Sequence, residues 1–167
     1  MGVLDDINME KQKNDQWCWA AVTSSVFPTF QDGSISQEDV VCQMLINQDC
    51  RSSPTPDICD VPFPLETAIR KMCKCTVRIG RVLSFAQIQA QIDNARRPLP
   101  IGITFSTQFG SVLHYCLIKG CNTVDGGQEV IVLDPAQADG GESHIPYAAL
   151  CDGSAIGAPW TDSFVLR

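Results

Sequence analysis

The sequence predicts an α+β fold in which an N-terminal helical lobe packs against a C-terminal antiparallel β-sheet. Apolar residues recur at helical spacing through most of the first half of the chain, and they alternate at strand spacing in the second half. Glycine, aspartate and asparagine punctuate the second half, as turns between strands require. Segregated helices and strands are typical of α+β domains, and they leave a cleft where the two lobes meet.

Length and composition favour one globular domain. A chain of 167 residues suits a single domain over residues 1–167, with the helical lobe at about 14–97 and the β lobe at about 98–167. Apolar residues make up 44% and charged residues 19%, which is typical of a folded chain. The net charge of −7 argues against nucleic acid and anionic membranes as partners.

The elements of the two lobes follow from capping residues and periodicity. Ser36 makes an approximate capping box with Asp39, and Ser34 with Gln37 is an alternative start for the same helix. The other elements predicted in the helical lobe are a helix at 63–72, a strand at 76–82 and a helix opened by Ser84 with Gln87. In the β lobe, strands are predicted at 99–105, 112–119, 129–133 and 164–166, and His144 is predicted to lie in a surface loop.

Nine cysteines are many for a reduced cytosolic protein, and their number is odd. The count allows up to four disulfides and leaves one reactive thiol, although buried cysteines that act as small apolar residues are the alternative. Cys50 and Cys59 flank a proline-rich loop and can close it. The partners of Cys42, Cys116, Cys121 and Cys151 stay open. No C-x-x-C pair exists and only two histidines are present, so we do not expect a structural zinc ion. No glycine-rich phosphate loop is present either, and we expect no other cofactor.

Cys18 is the candidate nucleophile. It lies near the start of the first predicted helix, residues 16–27, which follows the N-cap candidates Asn14 and Asp15 and ends at Pro28. Unpaired backbone N–H groups and the helix dipole create positive potential at such a position, and this favours a thiolate. A cysteine that only packs at the helix start is the alternative.

His114 and Asp134 are the candidate partners of that thiol. His114 is one of two histidines and faces the same way as Cys116 in an apolar strand. Imidazole is the side chain best suited to accept a thiol proton near neutral pH. Asp134 ends the next strand, where its carboxylate can orient the imidazole if the two strands are neighbours. A buried core histidine and an ordinary turn aspartate are the alternatives.

Gln12 is the candidate oxyanion donor. It precedes Cys18 by six residues, and its side-chain amide together with the Cys18 backbone N–H can stabilise a developing negative charge. Gln16, two residues before Cys18, is the alternative donor.

These residues and their surroundings resemble the papain-like cysteine peptidases. The resemblance lies in Gln12, the Trp-Cys-Trp-Ala-Ala run at 17–21, the strand start at 97–101, His114-Tyr115 and Leu133-Asp134-Pro135, and it spans roughly residues 10–135. It implies Cys18 as nucleophile, His114 as general acid and base, Asp134 as the group that orients His114, and Gln12 as oxyanion donor.

The sequence departs from the plant and lysosomal papains in three ways. The Cys-Gly-Ser-Cys-Trp signature is replaced by Gln-Trp-Cys-Trp, the cysteine and histidine are 96 residues apart, and the third member is aspartate. All three departures resemble the compact bacterial branch that includes the AvrRpt2-type effector proteases. Since the loops that set substrate preference differ, substrate preference does not transfer.

The expected function is that of a cysteine endopeptidase acting as a monomer on a protein or peptide. The alternatives are an acyl transferase, an amidase or a deubiquitinase-like enzyme on the same fold, and a disulfide-stapled effector or interaction module without catalysis. The cysteine content indicates a secreted or delivered effector with an extracellular or periplasmic route, although the N-terminus carries no signal peptide. The negative net charge favours basic peptides, provided that the cleft shares this charge.

Overall fold

One antiparallel sheet runs through the molecule. The computed structural model describes residues 2–46, 48–73 and 76–167. Within these residues the sheet has seven strands, namely β1 (Gly2–Val3), β2 (Thr76–Ile79), β3 (Leu99–Thr107), β4 (Gly110–Val124), β5 (Gly127–Leu133), β6 (Glu142–Pro146) and β7 (Trp160–Leu166). They lie in the order β2-β7-β3-β4-β5-β6, and β1 pairs with β4.

The helices pack beside this sheet and confirm the α+β prediction. Their bounds are α1 (Cys18–Val26), α2 (Gln37–Met44), α3 (Leu65–Cys73), α4 (Phe85–Gln89) and α5 (Tyr147–Asp152). Helix α1 contacts α2, α3 and β4, and eight of its nine residues are buried. A helix that is apolar on most sides is stable only when it is enclosed in this way. No described helix has the length and apolar character that crossing a bilayer requires.

The start of α1 differs from the prediction. Trp17 is the N-cap residue and makes no side-chain cap, so the predicted caps Asn14 and Asp15 are wrong. The physical reason is a turn that precedes the helix, in which the Asn14 carbonyl accepts a hydrogen bond from the Trp17 amide at 3.2 Å. The side chain of Asn14 instead donates to Thr55 at 3.3 Å. Cys18 therefore is the first residue of α1.

The helix starts predicted at Ser36 and Ser84 are confirmed, whereas the helix predicted to start at residue 63 starts at Leu65. Ser36 caps α2 by accepting a hydrogen bond from the Asp39 amide at 3.0 Å, so the Ser36 box forms and not the alternative at Ser34. Ser84 and Gln87 form a complete capping box at α4. A π-helical turn, Ala90–Asn94, continues α4 toward β3.

The predicted strands are present. Strands β3, β4, β5 and β7 are longer than expected, and β2 ends at Ile79 instead of residue 82. The prediction of a loop at His144 is wrong, because this residue lies in β6 opposite Ile131 of β5. Strand β6 is a polar edge strand that ends in proline, so it carries no apolar alternation by which it could be recognised. Strand β1 and helix α5 are too short for periodicity to reveal them.

Tryptophans and one disulfide hold α1 against the loop that follows α2. The indole N–H of Trp17 donates to the Cys59 carbonyl at 2.8 Å, and that of Trp19 donates to the Val61 carbonyl at 3.0 Å. Cys50 and Cys59 form the predicted disulfide. The maximum of four disulfides that the cysteine count allows is not reached, because the following described cysteines are free thiols: Cys18, Cys42, Cys116, Cys121 and Cys151.

Candidate active site

Cys18 lies at the N-terminus of α1, where the sheet and the helices meet. Its side chain is largely buried, with 8% of the residue exposed. The amides of the first helical turn have no intrahelical acceptor, and they direct positive potential toward a sulfur at this position. The thiol borders a cavity of about 440 Å³ whose wall includes Trp19, Phe63 and Tyr115.

His114 is carried by β4, which contacts α1 from the sheet side. Strand pairing places it opposite Ile103 of β3. On the other side of β4, strand β5 ends at Leu133 opposite Leu117, so the following residue, Asp134, lies beside the imidazole. Antiparallel pairing thus brings together two residues that are 20 positions apart in sequence.

The Nε2 atom of His114 lies 2.7 Å from Oδ1 of Asp134. The same carboxylate oxygen accepts a hydrogen bond from the Ala136 amide at 2.9 Å, which fixes its orientation. The thiols of Cys18 and Cys116 also interact with the imidazole and raise its pKa. A single ring therefore contacts the candidate orienting carboxylate and the candidate nucleophile.

His114 and Asp134 shift each other's pKa toward the charged forms. Burial works to lower the pKa of His114, but hydrogen bonds to Asp134, Cys116 and Cys18 outweigh it and hold that pKa well above its ordinary value. Burial likewise works to raise the pKa of Asp134, and the hydrogen bonds from His114 and Ala136 bring it below its ordinary value. An imidazolium held by a carboxylate is the form that supports a thiolate nucleophile in cysteine catalysis.

Gln12 contacts the segment that leads into α1. Its amide nitrogen donates to the carbonyls of Asn14 and Asp15 at 3.0 and 2.7 Å. Its backbone N–H donates to the Pro135 carbonyl at 2.8 Å, which ties this segment to the turn after Asp134. The side-chain oxygen of Gln12 is buried without a hydrogen-bond partner among the described residues. The alternative donor, Gln16, is exposed and borders the cavity next to Cys18.

The model of the Peptidase_C39 like family matches residues 4–155, a range that contains all four candidate site residues. The chain belongs to this family. Membership supports a papain-like cysteine peptidase and cysteine peptidase activity in general. Comparison with curated proteins gives no significant match.

A second cavity of this C39-like peptidase lies on the histidine side of the site. It has a volume of about 560 Å³ and is bordered by His114, Asp134 and Phe105 but not by Cys18. The Phe105 ring meets the imidazole edge-on, with ring centroids 6.5 Å apart. The sequence could not indicate these two cavities, because their walls come from segments far apart in the chain.

Cys116 is a further thiol at the site. The alternation along β4 places it on the face of His114, and the structure shows it fully buried there. Burial raises the pKa of the Cys116 thiol, so it stays protonated beside the imidazole. Ligand atoms of His114, Cys116 and Asp134 lie within 4.8 Å of one another, which is close enough to hold a metal ion.

His144 is not brought to the site. Its ring is 54% exposed, and its Nδ1 atom lies 2.9 Å from a Glu129 carboxylate oxygen. It lies on edge strand β6, two strands away from His114 on β4.

Proposed function

We propose that the protein is a cysteine endopeptidase with Cys18 as nucleophile, His114 as general acid and base, and Asp134 as the residue that orients His114. The observation that carries this proposal is the position of the His114 ring, whose Nε2 atom is 2.7 Å from Asp134 and which interacts with Cys18 at the start of α1. Cysteine acyl transfer requires a nucleophile next to a proton carrier, and a carboxylate that orients the proton carrier. Cys18, His114 and Asp134 supply these three roles in this proposal.

In the proposed reaction the Cys18 sulfur attacks the carbonyl carbon of the peptide bond. His114 gives its proton to the leaving nitrogen, so the amine departs and a thioester remains on Cys18. Water then attacks the thioester while His114 accepts one of its protons. The acid product leaves, and the proton on His114 restores the starting state.

The oxyanion donors in this proposal are the Cys18 backbone N–H and the Gln12 side-chain amide. The side-chain amide of Gln12 donates to the carbonyls of Asn14 and Asp15 in the turn before α1. One of these hydrogen bonds must therefore be exchanged for a bond to the oxyanion when substrate binds. Gln16, which borders the cavity beside Cys18, is the alternative donor.

We further propose that the enzyme belongs to the compact branch that resembles the AvrRpt2-type effector proteases, and that it acts as a monomer on a protein or peptide. A secreted or delivered effector fits the Cys50–Cys59 disulfide, because disulfides persist in oxidising compartments.

The test is digestion of a random peptide library, with the new termini read by mass spectrometry. Wild-type protein should release peptides with new carboxyl and amino termini, and Cys18→Ala and His114→Ala should release none. Cys151→Ala, which removes a free thiol outside the site, is the matched control and should cleave like wild type. If an amine added to the reaction is incorporated into the product in place of water, the protein is an acyl transferase instead. Equal cleavage by Cys18→Ala would overturn the proposal.

A further inference from the structure

We propose that the cavity beside Cys18 selects substrates with an acidic residue one or two positions before the scissile bond, and that Arg78 is the residue that selects it. This inference rests on the proposed peptidase function and adds a substrate class to it. The cavity, called the acyl-side cavity below, is bordered by Cys18, Trp19, Phe63, Arg78 and Tyr115, among others.

The positions of the two cavities define which part of the substrate each one takes. In acyl transfer the acyl part becomes bonded to the Cys18 sulfur, and the leaving amine receives its proton from His114. The acyl-side cavity borders Cys18 but not His114, and the second cavity borders His114 but not Cys18. Residues that precede the scissile bond therefore face the acyl-side cavity.

The apolar wall of the acyl-side cavity is held in place before substrate arrives. The rings of Trp19 and Phe63 are 5.0 Å apart, and the Trp19 indole is fixed by its hydrogen bond to the Val61 carbonyl. Tyr115 packs edge-on against Phe164 with ring centroids 5.8 Å apart. Such a wall accommodates the methylene part of a substrate side chain and excludes water around it.

Arg78 supplies the charge in this cavity. It projects from β2, and its side chain is 51% exposed, whereas the carboxylate that holds it, Asp162, is only 10% exposed and does not border the cavity. Both the Nε and Nη2 atoms bind one oxygen of Asp162, at 2.9 and 2.8 Å. The hydrogen bond to Asp162 raises the pKa of Arg78, so the guanidinium stays charged.

The bonding of Arg78 leaves donors for a ligand. Its Nη1 group has no hydrogen bond among the described residues, and guanidinium N–H groups bind carboxylates well. The described residues that border the cavity include no acidic side chain. The charged side chain on the wall of the acyl-side cavity is therefore positive, opposite in sign to the net charge of the chain, and we do not expect a preference for basic peptides there.

The experiment uses the same random peptide library and then matched peptides. The library identifies which of the last two positions before the cut carries Asp or Glu. Peptides that differ only there, with Glu, Gln or Lys, are then compared by kcat/KM. Because Asp162 offsets part of the charge and the guanidinium is half exposed, we expect Glu to exceed Lys by about fivefold. The Arg78→Gln variant should reduce this ratio to about 1, and the Gln peptide should report whether that variant still folds and cleaves.

Arg81→Gln is the matched control. Arg81 is exposed, lies three residues from Arg78 and does not border the acyl-side cavity. This variant loses the same charge and should keep the wild-type ratio. Cleavage without acidic preference, or equal preference in wild type and Arg78→Gln, would overturn this inference alone. No cleavage of any library peptide by wild type would overturn the proposed peptidase and this inference with it.

Discussion

His114 and Asp134 form a partly buried pair at the junction between the sheet and α1, with Nε2 and Oδ1 2.7 Å apart and side chains that are 16% and 17% exposed. This contact occupies Nε2, so Nδ1 is the ring nitrogen left to exchange a proton with Cys18 and the substrate. Since burial strengthens charge–charge interactions, the pair keeps the imidazole both oriented and protonated. The proposed chemistry depends on this one relationship.

Replacing Asp134 with Asn should slow the chemical step. The amide keeps the shape of the carboxylate but cannot stabilise an imidazolium, so we expect kcat to fall on the order of 10²-fold with little change in KM. Steady-state kinetics on a library-derived peptide measures this. The matched control is Glu129→Gln, which breaks the exposed His144 pair and should keep wild-type kcat. An equal loss in both variants would contradict a specific role for Asp134.

The pair should also stabilise the fold over a defined pH range. The raised pKa of His114 gives stability that is complete below its ordinary value of 6.5 and is lost as the pH rises through the raised value. The lowered pKa of Asp134 gives stability that is complete above its ordinary value of 3.8 and is lost as the pH falls through the lowered value. The Tm difference between wild type and Asp134→Asn should therefore be largest between these two ordinary values. A difference independent of pH would contradict the ion pair.

Cys116→Ala should shift the alkaline limb of the pH–activity profile. The Cys116 thiol is one of the hydrogen-bond partners that raise the pKa of His114, so its loss should move this limb to lower pH. The small cavity left behind should cost about 1 kcal/mol of stability. Cys121→Ala, five residues further along β4 and equally buried, is the control. An equal shift of the profile in both variants, or no shift in either, would contradict this role of Cys116.

Gln12 offers a direct distinction between catalysis and turn stabilisation. If Gln12 is an oxyanion donor, the Gln12→Ala variant should lower kcat by about 10²-fold at nearly constant KM. If its role is limited to holding the carbonyls of Asn14 and Asp15, the variant should lose Tm and keep kcat at low temperature. Gln16→Ala measures the alternative donor in parallel, and a large loss of kcat there alone would move the role to Gln16.

The Cys50–Cys59 disulfide should stabilise the segment that holds the start of α1. The loop-entropy model gives about 2–3 kcal/mol for a closed loop of this length. The Cys50→Ala/Cys59→Ala double variant should lose about that much free energy of unfolding in urea. Cys151→Ala should lose much less, since Cys151 is a half-buried free thiol.

The sequence predicts those features that depend on contacts between residues close together in the chain, such as helix starts. The capping hydroxyls of Ser36 and Ser84 mark real helix starts, because their backbone contacts lie within three residues. The His114–Asp134 contact was predictable only because both residues end up on paired strands, β4 and the end of β5. Asn14 was misread as a cap since its partner, Thr55, is 41 residues away.

The residues that form the walls of the site could not be predicted from the sequence, because their contacts also lie far apart in the chain. Arg78 has no neighbour in sequence that indicates a role, and its position depends on the pairing of β2 with β7 and on a contact with Asp162, 84 residues away. Both cavities are likewise formed by distant segments. Such features follow from tertiary packing, which periodicity and capping do not encode.

The most direct test of the account is acid trapping of the acyl-enzyme. A peptide cleaved by the wild type is mixed with enzyme, quenched within the first turnover and digested, and the fragments are weighed. We predict a thioester on the fragment that contains Cys18, with the mass of the part of the substrate before the scissile bond, and no thioester in His114→Ala. An acyl group on another residue, or turnover by Cys18→Ala at the wild-type rate, would contradict it.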